Sequence, residues 1–386
     1  MTSNNELLER IRQAVDTEGD LRALHAQAQS HQRHRSFRLV AACLAGAMLV
    51  ASALAVSTRS RGEDVASVAG ESTSPPETQA DWSGSLISAD PFGANAVTVA
   101  ATNGPTDSLL AAGIDRSSRT TKAWSSEDGV VWMENAALAL DAPSIHAVAT
   151  NGTVSVAVGE IDGAPAVWQI AGGQFDEVPL TADVIYDVAA TSDGFAIVGR
   201  ANQLPTVWLS DDGSQWAATS LSNNEGDATS VDADGASVVA VGRTGAGAKA
   251  WTLINNRWAE RTLAGPSASL HGVAVAGTSV AVIGLDGNTA TIWRSSDNGS
   301  TWDSSNLPTA EGEDPAPTSV TFANDSSVLV LVANSKVIRF DGTTWTQLTP
   351  EIDQAVRSEA ILDLVTRDDN VLGVGSQVWQ FGPTEN

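Results

Sequence analysis

Tryptophan recurs with a period of roughly 42 residues from about residue 85 to the C-terminus, in two interleaved series. One series runs Trp124, Trp168, Trp208, Trp251, Trp293, Ile338 and Trp379, and the other runs Trp132, Phe175, Trp216, Trp258, Trp302 and Trp345. That period is the length of a β-propeller blade of four short strands. Each unit reads the same way. A first strand such as IHAVAT at Ile145 or LHGVAV at Leu270 leads into a tight Asn-Gly or Asp-Gly turn, as at Asn151-Gly152 and Asp193-Gly194. A second apolar run ends at Gly159, Gly199, Gly242, Gly284 or Gly375. The third strand carries the first aromatic residue and the fourth carries the second, closing on Leu180, Leu221, Leu263, Leu307 or Leu348.

Counting the units makes the fold specific. Residues 95–348 hold six of them, and the seventh, Ala360 to Phe381, stops after its third strand. The missing strand lies at the other end, where Trp82 and Leu86 are expected to reproduce Trp216 and Leu221 and to finish the last blade. The expected fold class is therefore all-β: a seven-bladed β-propeller over residues 81–386, its N-terminal strand closing the ring so that no blade edge stays unpaired.

The remainder of the chain divides differently. Leu39 to Val56 is 18 residues without a charge, enough to cross about 30 Å of hydrocarbon as a helix. Arg22, Arg33, Arg35 and Arg38 precede it while only Arg59 and Arg61 follow closely, so the positive-inside bias puts residues 1–38 in the cytoplasm. Residues 1–38 read as a short helical segment, 39–56 as an uncleaved transmembrane signal-anchor, and 57–80, with Pro75-Pro76, as a flexible linker. Cleavage as a signal peptide is disfavoured by the 38 residues ahead of the apolar run. The expected location is thus the cell membrane, single-pass, with the propeller extracytoplasmic. The lone Cys43 sits in the apolar run and offers no disulfide. The first 61 residues carry 8 Arg against 5 acids, leaving 13 basic and 41 acidic residues for the rest, a charge that repels nucleic acid.

Between third and fourth strands of the fifth unit, Ser295-Ser296-Asp297-Asn298-Gly299-Ser300-Thr301-Trp302 matches S-x-D-x-G-x-T-W at each fixed position. It resembles the Asp-box, or bacterial neuraminidase repeat. Ser125 to Trp132 resembles it with Glu127 in place of the aspartate and Gly129 retained, and Asp211-x-Gly213-x-x-Trp216 keeps the latter half with Leu209 where serine is expected. Units two, four and six have shorter turns without the box. The resemblance, over about 300 residues, implies a sialidase-like propeller in which these turns are structural staples on the outer edge. It does not carry sialidase activity with it, because the Phe/Tyr-Arg-Ile-Pro motif of sialidases is absent and Tyr186 is the only tyrosine.

Binding chemistry is expected on the opposite face, where first strands begin and second strands end. One ring there is Asn95, His146, Tyr186, Thr229, His271, Thr318 and Leu362, and the next is Ala96, Ala147, Asp187, Ser230, Gly272, Ser319 and Asp363. Glu160, Arg200 and Arg243 end three consecutive second strands at the same rim. Two arginines on neighbouring blades suit a carboxylate, with pairing to rim acids as the alternative. No metal or cofactor site is expected: His146 and His271 lie on separate blades, and Asp232-x-Asp234-Gly235 sits where the other units have a hairpin turn. The residues point to a non-catalytic, membrane-anchored propeller binding a protein or glycan ligand. A sialidase-like hydrolase using Tyr186 with Asp187 or Asp363, and a signalling protein whose residues 1–36 meet a cytoplasmic partner, are the alternatives.

Overall fold

The computed structural model describes residues 81–89, 91–92, 96–103, 109–115, 120–138, 144–171, 174–235, 237–308, 316–332, 336–348 and 361–384. The expected cytoplasmic segment, apolar helix and linker lie outside them. Among the described residues no helix is long and apolar enough to cross a membrane.

The described residues form seven sheets of four antiparallel strands. In six of them the chain meanders from the innermost strand outward, so that blade 3, for example, runs Val184–Thr191, Gly194–Ala201, Leu204–Ser210 and Ala217–Ser220. The seventh sheet is assembled from both ends of the domain: Trp82–Ser88 pairs with Val378–Pro383, which pairs with Asn370–Val374 and then Asp363–Arg367. The expected closure by an N-terminal strand is what the topology shows.

The first aromatic series explains how the sheets hold together. The third-strand aromatic packs on the blade before it in six blades, and Ile338 takes that place in blade 6. Trp168 meets Leu110 and Ala112 of blade 1, Trp208 meets Val156 and Val158 of blade 2, and Trp251 meets Val198 and Val207 of blade 3. The ring comes round at Trp124, which packs on Leu372 and Val374 of blade 7. Each such side chain removes a large apolar area from water, worth about 3 kcal/mol or more against truncation to alanine. The repeat period is thus the distance along the chain between successive seams.

Two details differ from expectation. Leu86 pairs with Trp379, whereas Trp208 pairs with Ala218, so Leu86 is the counterpart of Ala218 and not of Leu221. It is accordingly 45% exposed where Leu221 is 7%. Trp82 lies opposite Pro383, beneath the Arg339 guanidinium of blade 6 at 4.7 Å, a cation–π contact that no Trp216-like position makes. The slip arises because strand period alone does not fix register when the closing strand is sequence-remote from its partner.

Candidate functional site at the channel rim

The rim is built on a repeated backbone irregularity. In six of the seven inner strands the register slips by one residue near the start, between Thr98 and Ala100, Ile145 and Ala147, Ile185 and Asp187, Ala228 and Ser230, Leu270 and Gly272, and Pro317 and Ser319. The skipped residue is a β-bulge. In blades 2 to 6 it is His146, Tyr186, Thr229, His271 and Thr318, the ring expected from sequence. In blade 1 it is Val99 and not Asn95, which lies outside the described residues, and Ala100 takes the place assigned to Ala96. That displacement along the chain reflects a different spacing at the start of the first repeat.

In blades 2 to 5 the bulge explains the glycine that ends the second strand, while blade 6 makes the same slip with Val332 in that place. A Cβ at Gly159, Gly199, Gly242 or Gly284 would lie 1.8–2.1 Å from the carbonyl oxygen of Ser144, Val184, Asp227 or Ser269, two residues ahead of the bulge. At these four positions only a residue without a side chain admits that approach.

The bulged side chains reach across to the following blade. His146 Nδ1 is 3.1 Å from Ile185 O, Thr229 Oγ1 donates to Leu270 O at 3.1 Å, and His271 Nδ1 is 2.9 Å from Pro317 O. A carbonyl only accepts, so both rings present an N–H at Nδ1. The other ring nitrogen of His271 then faces Ser269 Oγ at 3.0 Å, and that of His146 faces Glu160 Oε1 at 3.2 Å. Asp187 and Asp363 also tie blades together, one step deeper. Asp187 accepts from Ser230 Oγ at 2.8 Å and Val231 N at 3.1 Å, and Asp363 accepts from Ser319 Oγ at 2.8 Å. Seven of the eight rim candidates are thereby tied to neighbours: His146, Glu160, Asp187, His271 and Asp363 as above, and Tyr186 and Arg200 through Asp227.

Asp227 collects the Tyr186 hydroxyl at 3.3 Å and Arg200 Nη1 at 3.0 Å, while Arg200 Nε stands 3.9 Å from Asp183. The arginine of blade 3 therefore pairs with rim acids, though not with Glu160 or Asp187. Asp183 and Asp227 were not singled out from sequence. Their position at the head of consecutive inner strands was the available signal. Arg243 stands alone: cross-strand neighbour of Asp227, it is half-buried, and its Nη1 is buried with no hydrogen-bond partner.

At the far end of the channel Asp232 Oδ2 accepts Val275 N at 2.7 Å and Asp234 Oδ2 accepts Gly277 N at 2.7 Å, so this pair joins blade 4 to blade 5 across a hairpin turn. Burial pushes Asp232 up to about 7, with Asp187 and Asp234 adding to the rise against two backbone N–H donors. Among the described residues no cluster of His, Cys, Asp and Glu is arranged to hold a metal.

The turns between third and fourth strands correct the sequence alignment. In blade 3, Ser210 Oγ accepts Gly213 N at 2.9 Å, and Asp212, not Asp211, accepts Ser214 N at 2.8 Å and Gln215 N at 3.0 Å. In blade 1 the same parts are played by Ser126 and Asp128, not by Ser125 and Glu127. Blade 5 keeps Ser295 and Asp297, because Asn298, with φ of 55°, is inserted before Gly299. Counting back from the shared glycine and tryptophan at the spacing of blade 5 missed by one. Blade 6, expected to lack such a turn, has Asp341 accepting Thr343 N and Thr344 N at 2.8 and 2.7 Å. These amide donors, led by Ser214 N–H for Asp212 and Thr301 N–H for Asp297, hold both carboxyls down at about 2. The tryptophan closes the turn: Trp132 Nε1 donates to Gly129 O at 3.0 Å and Trp302 Nε1 to Gly299 O at 2.9 Å, whereas Trp216 Nε1 is buried without a partner.

Away from the rim, a cleft of about 380 Å³ opens at the outer edge between blades 3 and 4, lined by Leu209, Leu221, Leu253, Asn256, Arg257 and Trp258 among others. It brings no titratable cluster together.

No protein-family model matches the chain, and no curated protein matches it. Solved structures do resemble it. Virginiamycin B lyase from Staphylococcus aureus, in a catalytically inactive form with quinupristin, superimposes with a TM-score of 0.62 at 10% identity, over 79% of this chain and 100% of that one. YCF48 bound to D1 peptide gives 0.54 at 16% identity, over 81% and 99%. YCF48 from Cyanidioschyzon merolae gives 0.54 at 14%, over 78% and 99%. At these identities the likeness is one of fold: the described domain is an all-β, seven-bladed propeller like theirs.

Proposed function

We propose that this protein is a membrane-anchored, extracytoplasmic binding propeller whose rim over blades 3 and 4 receives a carboxylate of a protein or glycan ligand. Arg243 carries the reading. A buried guanidinium nitrogen without a partner is costly, and an incoming carboxylate supplies the missing acceptor. Arg200 is already neutralised by Asp227 and Asp183, and contributes orientation more than free charge. The other rim candidates among the described residues are held within or between blades, which leaves Arg243 as the rim cation with a nitrogen to satisfy. Propellers of the same fold are known in complex with a peptide and with quinupristin, so the architecture suits the role. The turns that resemble Asp-boxes are in this reading staples, and the anchor is the apolar run Leu39 to Val56.

The test is an array of peptides and acidic glycans probed with the full chain in lipid nanodiscs. Arg243→Ala is expected to weaken the best ligand by roughly tenfold to a hundredfold, the range for a charged hydrogen bond. A ligand bound equally by the wild type and by the Arg243→Ala, Arg200→Ala double variant overturns the rim site.

One observation favours the hydrolase alternative: the Tyr186 hydroxyl donates to the Asp227 carboxylate beside Arg200, a base placed to activate a phenol. Turnover of a fluorogenic sialoside that disappears in Tyr186→Phe would replace the binding reading. Asp187 and Asp363 have no part in it, being occupied with Ser230 and Ser319.

A further inference from the structure

Among the described residues, the face opposite the rim has its most exposed apolar side chains in the blade 1 turn. In the turns held by an aspartate, the two residues after the glycine are Ser214-Gln215 in blade 3, Ser300-Thr301 in blade 5 and Thr343-Thr344 in blade 6. In blade 1 they are Val130 and Val131, 45% and 63% exposed, and Met133 beyond them is 61% exposed. Nothing in the fold demands apolar side chains there, because the same turn is made with polar ones three times over. The turn is firmly held: Asp128 caps it, Gly129 lies against Leu372 of blade 7, and Arg367 of blade 7 donates to Glu127 O.

The chain enters the propeller on that same face, at the outer strand of blade 7, the neighbour of blade 1. Third strands end on the face opposite the rim, and Trp82 pairs with Pro383, the last residue of the third strand of blade 7, while Thr384 N donates to Asp81 O. Blade 7 is the neighbour on which blade 1 packs. The segment leading to Asp81 is residues 57–80, preceded by the 18 uncharged residues 39–56. On the anchored reading, 24 residues separate the apolar run from Asp81, a length worth roughly 25–30 Å for a coil, and the entry face is then the one turned to the bilayer.

We propose that Val130, Val131 and Met133 form a lipid-contacting tip that rests the propeller on the membrane surface and turns its rim outward. The inference rests on the anchored reading above. Glu127 and Asp128 stand in the same turn against one cation, Arg367, which donates to Glu127 O, so the contact is apolar and favours neutral over anionic lipid.

The experiment uses the full chain with Cys43→Ala, reconstituted in phosphatidylcholine vesicles bearing brominated acyl chains. A fluorophore is placed at Met133→Cys or, on the rim turn of blade 4, at Ala246→Cys. Quenching at position 133 is expected to exceed that at 246 by roughly threefold or more, the depth contrast of an interfacial group against one in water. It should fall to the rim level when Val130→Ser and Val131→Thr copy the turn of blade 5, and should weaken with added anionic lipid. A chain that resists alkaline extraction but shows equal quenching at both positions overturns the lipid tip and leaves the anchor standing. A chain released by alkaline extraction removes both. A fall in oligomer size on the Ser-Thr exchange makes a second copy the occupant and also overturns the proposal.

Discussion

Asp212 and its neighbour Asp211 differ by one position and by everything that matters to a turn. Asp212 Oδ1 gathers two backbone N–H groups and its carboxyl is held at about 2, while Asp211 projects from the preceding position. Asp212→Ala is therefore expected to lower Tm measurably and Asp211→Ala to leave it unchanged, as read by thermal unfolding at pH 7. The reverse order would restore the alignment drawn from sequence. The stabilisation that Asp212 and Asp297 give is present above the ordinary carboxylate value, near 3.8, and is lost as pH falls through about 2. Asp232 acts with the opposite sign. Its folded-state value near 7 exceeds the 3.8 of the unfolded chain, so its contribution is full below about 3.8 and is lost as pH rises through about 7. The residue types were plain in the sequence. Which of two adjacent acids faces the turn depended on a single inserted residue, Asn298, in the blade used as template.

The inner strand with its bulge is the repeated element on which the rim depends. The bulge offers a side chain to the next blade, and in blades 2 to 5 the glycine opposite makes room for the displaced carbonyl. A methyl group at Gly199 would fall 2.1 Å from Val184 O, a contact with backbone that no side-chain rotation relieves. Gly199→Ala is expected to cost about 3 kcal/mol or more in chemical unfolding. Gly265→Ala, where a Cβ meets nothing within 4 Å, serves as the control and should change stability little. Equal effects would show that the bulge is not maintained. The glycines and the polar residues of the rim were both visible in the repeat. Their connection was not, since a one-residue slip in pairing leaves no mark in a strand's composition.

At the scale of the molecule the ring is held by its seams, and the seam most exposed to opening is the one the N-terminal strand completes. Trp82–Ser88 contributes the outer strand of blade 7, and Gly84 fits against Phe381 and Leu348 O with no room for a side chain, at 2.6 and 2.9 Å. A chain beginning at residue 80 is expected to keep slow amide exchange over Val378–Phe381, and one beginning at residue 90 to lose it by several orders of magnitude, as the third strand of blade 7 becomes an edge. Equal protection in both would show that closure needs no N-terminal strand.

The number of blades, their four-strand make-up and the closure by both chain ends were determined by the sequence itself. A large apolar residue recurs once per seam, tryptophan in six blades and Ile338 in the other, and each seam buries it. The tertiary structure alone decided which polar residues are available. Tyr186, Arg200, Asp187 and Asp363 are engaged by sequence-distant partners on a neighbouring blade, and Arg243 keeps a buried nitrogen without one. Periodicity follows from burial, which each residue type signals locally. Pairing between blades follows from geometry across seams, which no local pattern encodes.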